Sequence, residues 1–270
     1  ATKVLKEGRA VTVNGKTGEV FEGSLPKGVM EALDTATLAS ARQSSRAQGL
    51  KTATKVYVNL AEPELAEEIA KKNVDGVGLL RAEFMIAQIG VHPKKLIHDK
   101  REQVFVHKLV EGLEKFCKAF YPRPVVYRAT DFKTNEYRNL LGGKDYEPHE
   151  ENPMIGYRGC FRYITDERVF QLELEAIKRV RELKGYKNLW LMIPFVRTVQ
   201  ELEQVKHIIH KHGLQRSQSF KLWMMAEIPS NVILLDQFID VGIDGFSIGT
   251  NDLTMLILGV DRDNEHVASE

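Results

Sequence analysis

Short apolar runs alternate with amphipathic segments along the chain from about residue 55 onward. The apolar runs predict six strands, at residues 56–60, 76–80, 125–128, 189–193, 222–226 and 245–248. Apolar residues at helical spacing predict helices between them, at residues 63–72, 94–120, 166–183, 198–212 and 231–241, with a polar loop after the third strand. Such alternation is typical of a parallel sheet covered by helices, so the pattern predicts either a (β/α)8 barrel or a doubly wound open sheet.

The first 54 residues have a different pattern. Residues 10–22 form two alternating runs joined at Asn14-Gly15, a strong hairpin signal. Residues 24–53 are rich in Ser, Ala, Thr, Gln and Gly, with one weak helical stretch at 28–44. We therefore expect a small β element at 1–23, a linker containing one helix at 24–54, and an α/β domain at 55–270.

Composition limits the classes of function. The 38 Lys and Arg residues nearly balance the 37 Asp and Glu residues, which argues against general attraction to nucleic acid or a membrane surface. No apolar run approaches the length of a membrane span. Cys117 and Cys160 lack disulfide-scaffold or zinc spacing, which fits a reducing cytoplasm. Because the sequence begins with Ala and stops shortly after a new loop begins, we expect it to be a piece of a longer protein.

Oxygen-bearing side chains follow the last two predicted strands. Glu227 follows the fifth, and Asn251 and Asp252 follow the sixth. Parallel neighbours place these ends at one edge of the sheet, and Mg²⁺ accepts one or two protein carboxylates, so Glu227 and Asp252 are candidate Mg²⁺ ligands. Residues 249–252 also run from a turn into a helix start, which suits an anion. The alternative is that Asp252 only caps a helix and Glu227 is a solvated loop acid.

Arginines are placed toward the same edge. Two directly follow predicted strands, one lies in the polar loop and one lies beyond the sixth strand: Arg81, Arg128, Arg158 and Arg262. Guanidinium groups bind phosphate and carboxylate oxygens bidentately, so together they predict a ligand that carries both groups. For a single arginine the alternative is a structural salt bridge, for example Arg81 with Glu83 or Arg128 with Asp131.

Four segments, residues 78–85, 127–137, 150–159 and 246–254, resemble in this order the PEP-utilising enzymes. The resemblance extends from residue 56 to the end of the chain. Residues 131–137 and 146–153 are most similar to the branch that converts ATP, pyruvate and water to AMP, PEP and phosphate. Pyruvate phosphate dikinase and phosphotransferase-system enzyme I are the alternatives within the family, and a non-catalytic binding or assembly fragment is an alternative of another class.

The resemblance implies a pyruvate/PEP-binding (β/α)8 barrel with a Mg²⁺ cofactor. Arg81 and Arg128 would hold the phosphate and enol oxygens, and Arg158 and Arg262 would complete the cationic wall. The implied metal ligands and the remaining substrate contacts are the residues already singled out: Glu227 and Asp252 for Mg²⁺, and Gly249, Thr250 and Asn251 for the substrate carboxylate and phosphate.

The resemblance also implies partners that this sequence lacks. Residues 1–23 are similar to the last strands of the family's phosphohistidine domain, and the phosphorylated His and the ATP-grasp domain would lie upstream. The proton-donating Cys and the last part of the barrel would lie beyond residue 270. Family members form dimers through the barrel, so we expect at least a homodimer.

Overall fold

The computed structural model describes residues 10–13, 20–23, 52–261, 264, 266 and 267. The chain divides into two compact units, residues 1–53 and 54–270. In the first unit, β1 (Val11–Val13) and β2 (Val20–Glu22) pair antiparallel with Val13 opposite Val20. The predicted turn at Asn14-Gly15 falls among residues 14–19, between these two strands in the sequence. Those residues and the predicted linker helix lie outside the described residues.

Six parallel strands form the sheet of the second unit. They are β3 (Tyr57–Leu60), β4 (Gly76–Arg81), β5 (Val125–Arg128), β6 (Leu189–Ile193), β7 (Leu222–Ala226) and β8 (Gly245–Ile248). The prediction of six strands is confirmed, with every bound within one residue, because each strand is a short apolar run that carries its own signal.

The order of the strands in the sheet is β3-β4-β5-β6-β7-β8. Each strand pairs with the next one along the chain, so no point exists among the described strands where the order reverses. A doubly wound open sheet has such a reversal, and this alternative is therefore excluded. The strands curl into a half-barrel, which agrees with part of a TIM-type barrel.

Helices connect the strands. The described helices are α1 (Ala66–Ala70), α2 (Glu83–Ala87), α3 (Pro93–His98), α4 (Glu102–Phe120), α5 (Thr134–Tyr137), α6 (Gly143–Tyr146), α7 (Cys160–Thr165), α8 (Glu167–Glu182), α9 (Val199–Lys211), α10 (Pro229–Ile233), α11 (Leu235–Asp240) and α12 (Thr250–Leu258). A 3-10 turn (Pro63–Leu65) leads into α1. No helix in the described part of the chain is long and apolar enough to cross a membrane.

Two helix predictions and one loop prediction were wrong in detail. The helix predicted at 94–120 is two helices, because Lys100 between α3 and α4 has a left-handed φ of 56° that a continuous helix does not allow. The polar loop after β5 contains three short helices, α5 to α7. The helix predicted at 231–241 begins earlier, at Pro229, which suits a first helical position, and it is interrupted at Leu234.

The core lies between the sheet and its outer helices. The buried face of α4 carries Phe105, Leu109, Phe116 and Phe120, all fully buried. Truncating one such Phe to Ala costs about 3–5 kcal/mol, so this layer fixes the scaffold that carries the strand ends. A smaller cluster on the inner face of the sheet contains Leu79, Val126, Met192 and Met225, with Trp190 and Trp223 packed against it.

Candidate functional site

A cleft of about 770 Å³ lies at the carboxyl ends of the strands. It brings together eight residues that the sequence singled out: Arg81, Arg128, Arg158, Glu227, Gly249, Thr250, Asn251 and Asp252. Arg262 lies outside the described residues. The cleft also contains Asn59 at the end of β3, together with Glu83 and Asp131.

The end of β8 is pressed against Glu227. Ala226 pairs with Ile248, and the Gly249 N–H donates to the Ala226 carbonyl at 3.0 Å. A Cβ atom on Gly249 would lie 2.5 Å from Glu227 Oε2 and 2.7 Å from its Cβ. Only glycine therefore fits here without displacing the carboxylate, and α12 can begin directly beside it.

Arg128 is held in an ion pair with Glu83. Its Nη2 donates to Glu83 Oε1 at 2.5 Å, and its Nη1 is 3.8 Å from Asp131 Oδ2. Burial acts against the charge of Arg128, but Glu83 and Asp131 outweigh it and raise the pKa of Arg128 above its ordinary value. The structural salt bridge that the sequence left open is thus present, with Glu83 as the closer partner of Arg128 rather than of Arg81.

Arg158 joins two loops of the cleft. Its Nε and Nη2 donate to the two oxygens of Asp131 at 3.0 and 2.5 Å, and Nη2 also donates to Asp252 Oδ2 at 2.9 Å. Its Nη1 donates to the Met154 carbonyl at 3.0 Å. The guanidinium of Arg158 is buried, so these bonds fix its orientation and tie the loop after β5 to the start of α12.

Arg81 differs from Arg128 and Arg158 in its exposure and in its contacts. Its side chain is exposed, and within the described residues its guanidinium makes no hydrogen bond or ion pair. Nearby in the cleft, Arg128 Nε and Glu83 Oε2 are buried without a hydrogen-bond partner among the described residues. Since buried polar atoms are rarely left unpaired, the cleft has donor and acceptor capacity for a polar ligand or water.

Glu227 is a buried carboxylate among other acids. Its Oε1 accepts from the Phe195 N–H at 2.6 Å. Burial, reinforced by the negative charges of Asp131 and Asp252, raises the pKa of Glu227 to about 7. A cation placed beside Glu227 and Asp252 would relieve this repulsion.

These two residues fit Mg²⁺. The described residues contain no group of three or more His, Cys, Asp or Glu side chains that could hold a metal. Mg²⁺ needs only one or two protein carboxylates, because water and substrate oxygens complete its shell. Glu227 and Asp252 both line the cleft, so the donor set is compatible with a substrate-assisted magnesium site.

The sequence reasoning missed Glu173, which supports the loop after β5 from below. Glu173 on α8 is fully buried and accepts from the Tyr127 hydroxyl at 2.6 Å, the Thr130 N–H at 3.0 Å and the Thr130 hydroxyl at 2.5 Å. Burial raises its pKa to about 7. A signal was present: Glu173 lies on the apolar face of its helix, three residues after Phe170 and four before Ile177.

Neither cysteine lines the cleft. Cys117 and Cys160 are both buried, and burial raises the pKa of each thiol above its ordinary value.

The chain therefore contains an α/β half-barrel domain with a cleft that is lined by arginines and carboxylates at the carboxyl ends of its strands. Residues 36–270 match the family described as PEP-utilising enzyme, PEP-binding domain. The chain belongs to this family, as the sequence resemblance predicted.

Several curated proteins match almost the whole chain. It is 49% identical over 276 residues to the probable phosphoenolpyruvate synthase of Staphylothermus marinus, covering 99% of the chain and 33% of that protein. It is 49% identical over 275 residues to the phosphoenolpyruvate synthase of Aeropyrum pernix, with the same shares. For the phosphoenolpyruvate synthase of Pseudomonas aeruginosa the values are 42% over 294 residues, 99% and 36%. The chain spans about a third of the length of these relatives.

Proposed function

We propose that this chain supplies the Mg²⁺-dependent pyruvate/PEP site of a phosphoenolpyruvate synthase, which converts ATP, pyruvate and water to AMP, PEP and phosphate. The observation that carries the proposal is the cleft itself. It combines Arg81, which has no ion-pair partner within the described part of the chain, with two arginines held by carboxylates and a buried glutamate at a helix start. The names of the matched relatives favour the synthase over pyruvate phosphate dikinase and enzyme I.

The ligand would bind through its anionic groups. Arg81 offers a bidentate fork without breaking an existing ion pair, and Arg128 offers the unpaired Nε. The first N–H groups of α12, at Thr250 and Asn251, are available to the carboxylate or phosphate, as at other helix starts. A ligand with two anionic groups a few ångströms apart would contact the arginines and the start of α12 at the same time.

Arg128 and Arg158 would stabilise the enolate as well as bind the ligand. Their carboxylate partners hold them in place before any ligand arrives, so little reorganisation is needed when negative charge develops on the enol oxygen. Preorganised charge of this kind is commonly the largest contribution to catalysis. Arg158 would also keep Asp252 oriented toward the cleft.

Glu227 and Asp252 would hold Mg²⁺. When bound, the ion would supply Lewis-acid polarisation of the substrate oxygens and further stabilisation of the enolate. The residues of this chain would bind and orient the substrate, while the phosphoryl group would come from a phosphohistidine domain charged by an ATP-grasp domain. We further propose a closed (β/α)8 barrel, a homo-oligomer of at least two subunits and a cytoplasmic location for the whole protein.

Arg81→Gln in the full-length protein tests the proposal. Losing a charged bidentate partner should weaken PEP binding roughly 10- to 100-fold, as measured by titration calorimetry in Mg²⁺ buffer. Arg101→Gln is the matched control, since Arg101 is exposed at the start of α4 and away from the cleft. Equal affinity in both variants would contradict the assignment of the cleft.

The type of turnover separates the enzymatic alternatives. The synthase forms AMP and PEP from ATP and pyruvate without added phosphate, whereas a dikinase requires phosphate as a co-substrate. AMP formation by the full-length protein that depends on added phosphate would contradict the synthase assignment while leaving the cleft assignment intact.

A further inference from the structure

Phe195 has an unusual backbone conformation. It lies two residues beyond the end of β6 and has a φ of 49°, in the left-handed region. The other non-glycine residue with positive φ in the described part of the chain, Lys100, is exposed at a helix end, whereas Phe195 is only 1% exposed. A bulky buried residue keeps this conformation only where its surroundings impose it, and such residues cluster at functional sites.

The backbone of Phe195 holds Glu227. The Phe195 N–H donates to Glu227 Oε1 at 2.6 Å, so the carboxylate oxygen is fixed by a group on the neighbouring strand end. Asn231 completes the connection, because its Oδ1 accepts from the Glu227 N–H at 3.1 Å and its Nδ2 donates to the Val196 carbonyl at 2.7 Å. The ends of β6 and β7 are therefore locked together around Glu227.

The ring of Phe195 supports Arg158. The guanidinium carbon of Arg158 lies 3.9 Å from the ring centroid, and that of Arg197 lies 4.8 Å away. Both distances are within the range of a cation–π interaction, which strengthens when the cation is buried, as Arg158 is. Arg158 in turn holds Asp131 and Asp252, so the ring of Phe195 stabilises the position of Arg158 and, through it, of these two carboxylates.

Gly159 packs directly against this residue. A Cβ on Gly159 would lie 2.5 Å from Phe195 Cβ and 3.0 Å from the Pro194 carbonyl oxygen, and Gly159 itself has a φ of 58°. The Cys160 N–H donates to the same carbonyl at 3.1 Å. The residue that follows Arg158 is thus fitted to the backbone of the β6 loop, which imposes the conformation of Phe195 from the Arg158 side.

We infer that Phe195 is a positioning residue that couples Arg158 to Glu227. It does not line the cleft and would not touch the ligand. Its N–H sets the carboxylate, its ring sets the guanidinium, and its left-handed backbone allows one residue to do both. This inference rests on the proposed function, since the quantity that Phe195 controls is the geometry of the PEP and Mg²⁺ site.

The test compares three variants of the full-length protein. Phe195→Ala removes the ring, Phe195→Leu keeps apolar bulk without an aromatic face, and Phe116→Ala removes an equally buried ring from α4, away from the cleft. PEP affinity in Mg²⁺ buffer is measured by titration calorimetry, and the thermal midpoint is measured in parallel. Both Ala variants should lower the midpoint. Only the Phe195 variants should weaken PEP binding, Phe195→Ala by roughly tenfold or more.

Phe195→Leu keeps the test decisive should Phe195→Ala fail to fold. It should have a midpoint close to wild type and a weaker affinity for PEP, a separation that a purely structural role would not produce. Wild-type affinity in Phe195→Leu would overturn the inference, as would equal losses of affinity in Phe195→Ala and Phe116→Ala. Failure of the wild-type protein to bind PEP would instead refute the proposed function, and the inference with it.

Discussion

Replacing Glu173 by Gln should change how the stability of the chain depends on pH. Glu173 is fully buried and receives three hydrogen bonds from Tyr127 and Thr130, directly below the loop that carries Arg128 and Asp131. Gln has nearly the same shape but cannot ionise. At low pH both side chains are neutral, and each can donate to the Thr130 hydroxyl while accepting from the Tyr127 hydroxyl and the Thr130 N–H, so the two proteins should have similar stability there.

The magnitude of the pH effect follows from the pKa of Glu173. Burial raises it from 4.5 to about 7 in the folded chain. Between these values the folded state binds more protons than the unfolded state, so the free energy of unfolding falls as pH rises. At 1.36 kcal/mol for each unit of pKa, the fall is about 3 kcal/mol, and it is complete once the pH exceeds the folded pKa of about 7.

Chemical denaturation of the wild-type chain and of Glu173→Gln at several pH values between 4 and 8 measures this effect. The stability of the wild type relative to Glu173→Gln should fall by about 3 kcal/mol across the range, while contributions from other groups cancel in the difference. Glu182→Gln, exposed on the same helix, is the matched control. A stability difference between wild type and Glu173→Gln that stays constant with pH, or that moves in favour of the wild type as pH rises, would refute the conclusion that a buried ionisable Glu173 destabilises the folded state at neutral pH.

Two substitutions probe the cleft itself. Asp252→Asn keeps an acceptor for Arg158, so it should cost only about 1 kcal/mol of stability. It removes one anionic ligand, so it should abolish Mg²⁺-dependent PEP binding. Unchanged Mg²⁺ affinity in calorimetry would show that the metal assignment is wrong. Arg128→Lys keeps the charge but loses the bidentate fork. In the full-length protein it should slow the proposed pyruvate half-reaction by about 10²-fold and spare ATP-dependent phosphorylation of the proposed upstream phosphohistidine domain. Equal loss in both half-reactions would indicate misfolding.

The strands could be predicted from the sequence because each one is a local apolar run. Helix interruptions could not, since the break at Lys100 depends on a left-handed backbone that nothing in a lysine predicts. The short helices of the loop after β5 were also missed. They are held by contacts such as Thr134 to Glu150, at 2.5 Å, that form only once the chain has folded back on itself.

The composition of the cleft was predictable, because polar residues at the ends of parallel strands must converge. The ion pairs between the charged side chains of the cleft could not be predicted in this way. Arg128 ends β5 and Arg158 lies in the segment that follows it, and their carboxylate partners Glu83 and Asp131 were considered only as local salt bridges. Phe195 lay beyond sequence reasoning altogether, since its role depends on a backbone angle and on two neighbours from other strand ends.

Glu227 and Asp252 are proposed to bind a cation that takes part in PEP binding at this cleft. Calorimetric titration of PEP into the full-length protein, in Mg²⁺ and then in excess chelator, tests it directly, with Glu227→Gln titrated alongside. PEP binding measured in Mg²⁺ should weaken at least about tenfold in chelator, and by a similar factor in Glu227→Gln. PEP affinity that is the same with and without Mg²⁺, or the same in wild type and Glu227→Gln, would contradict it.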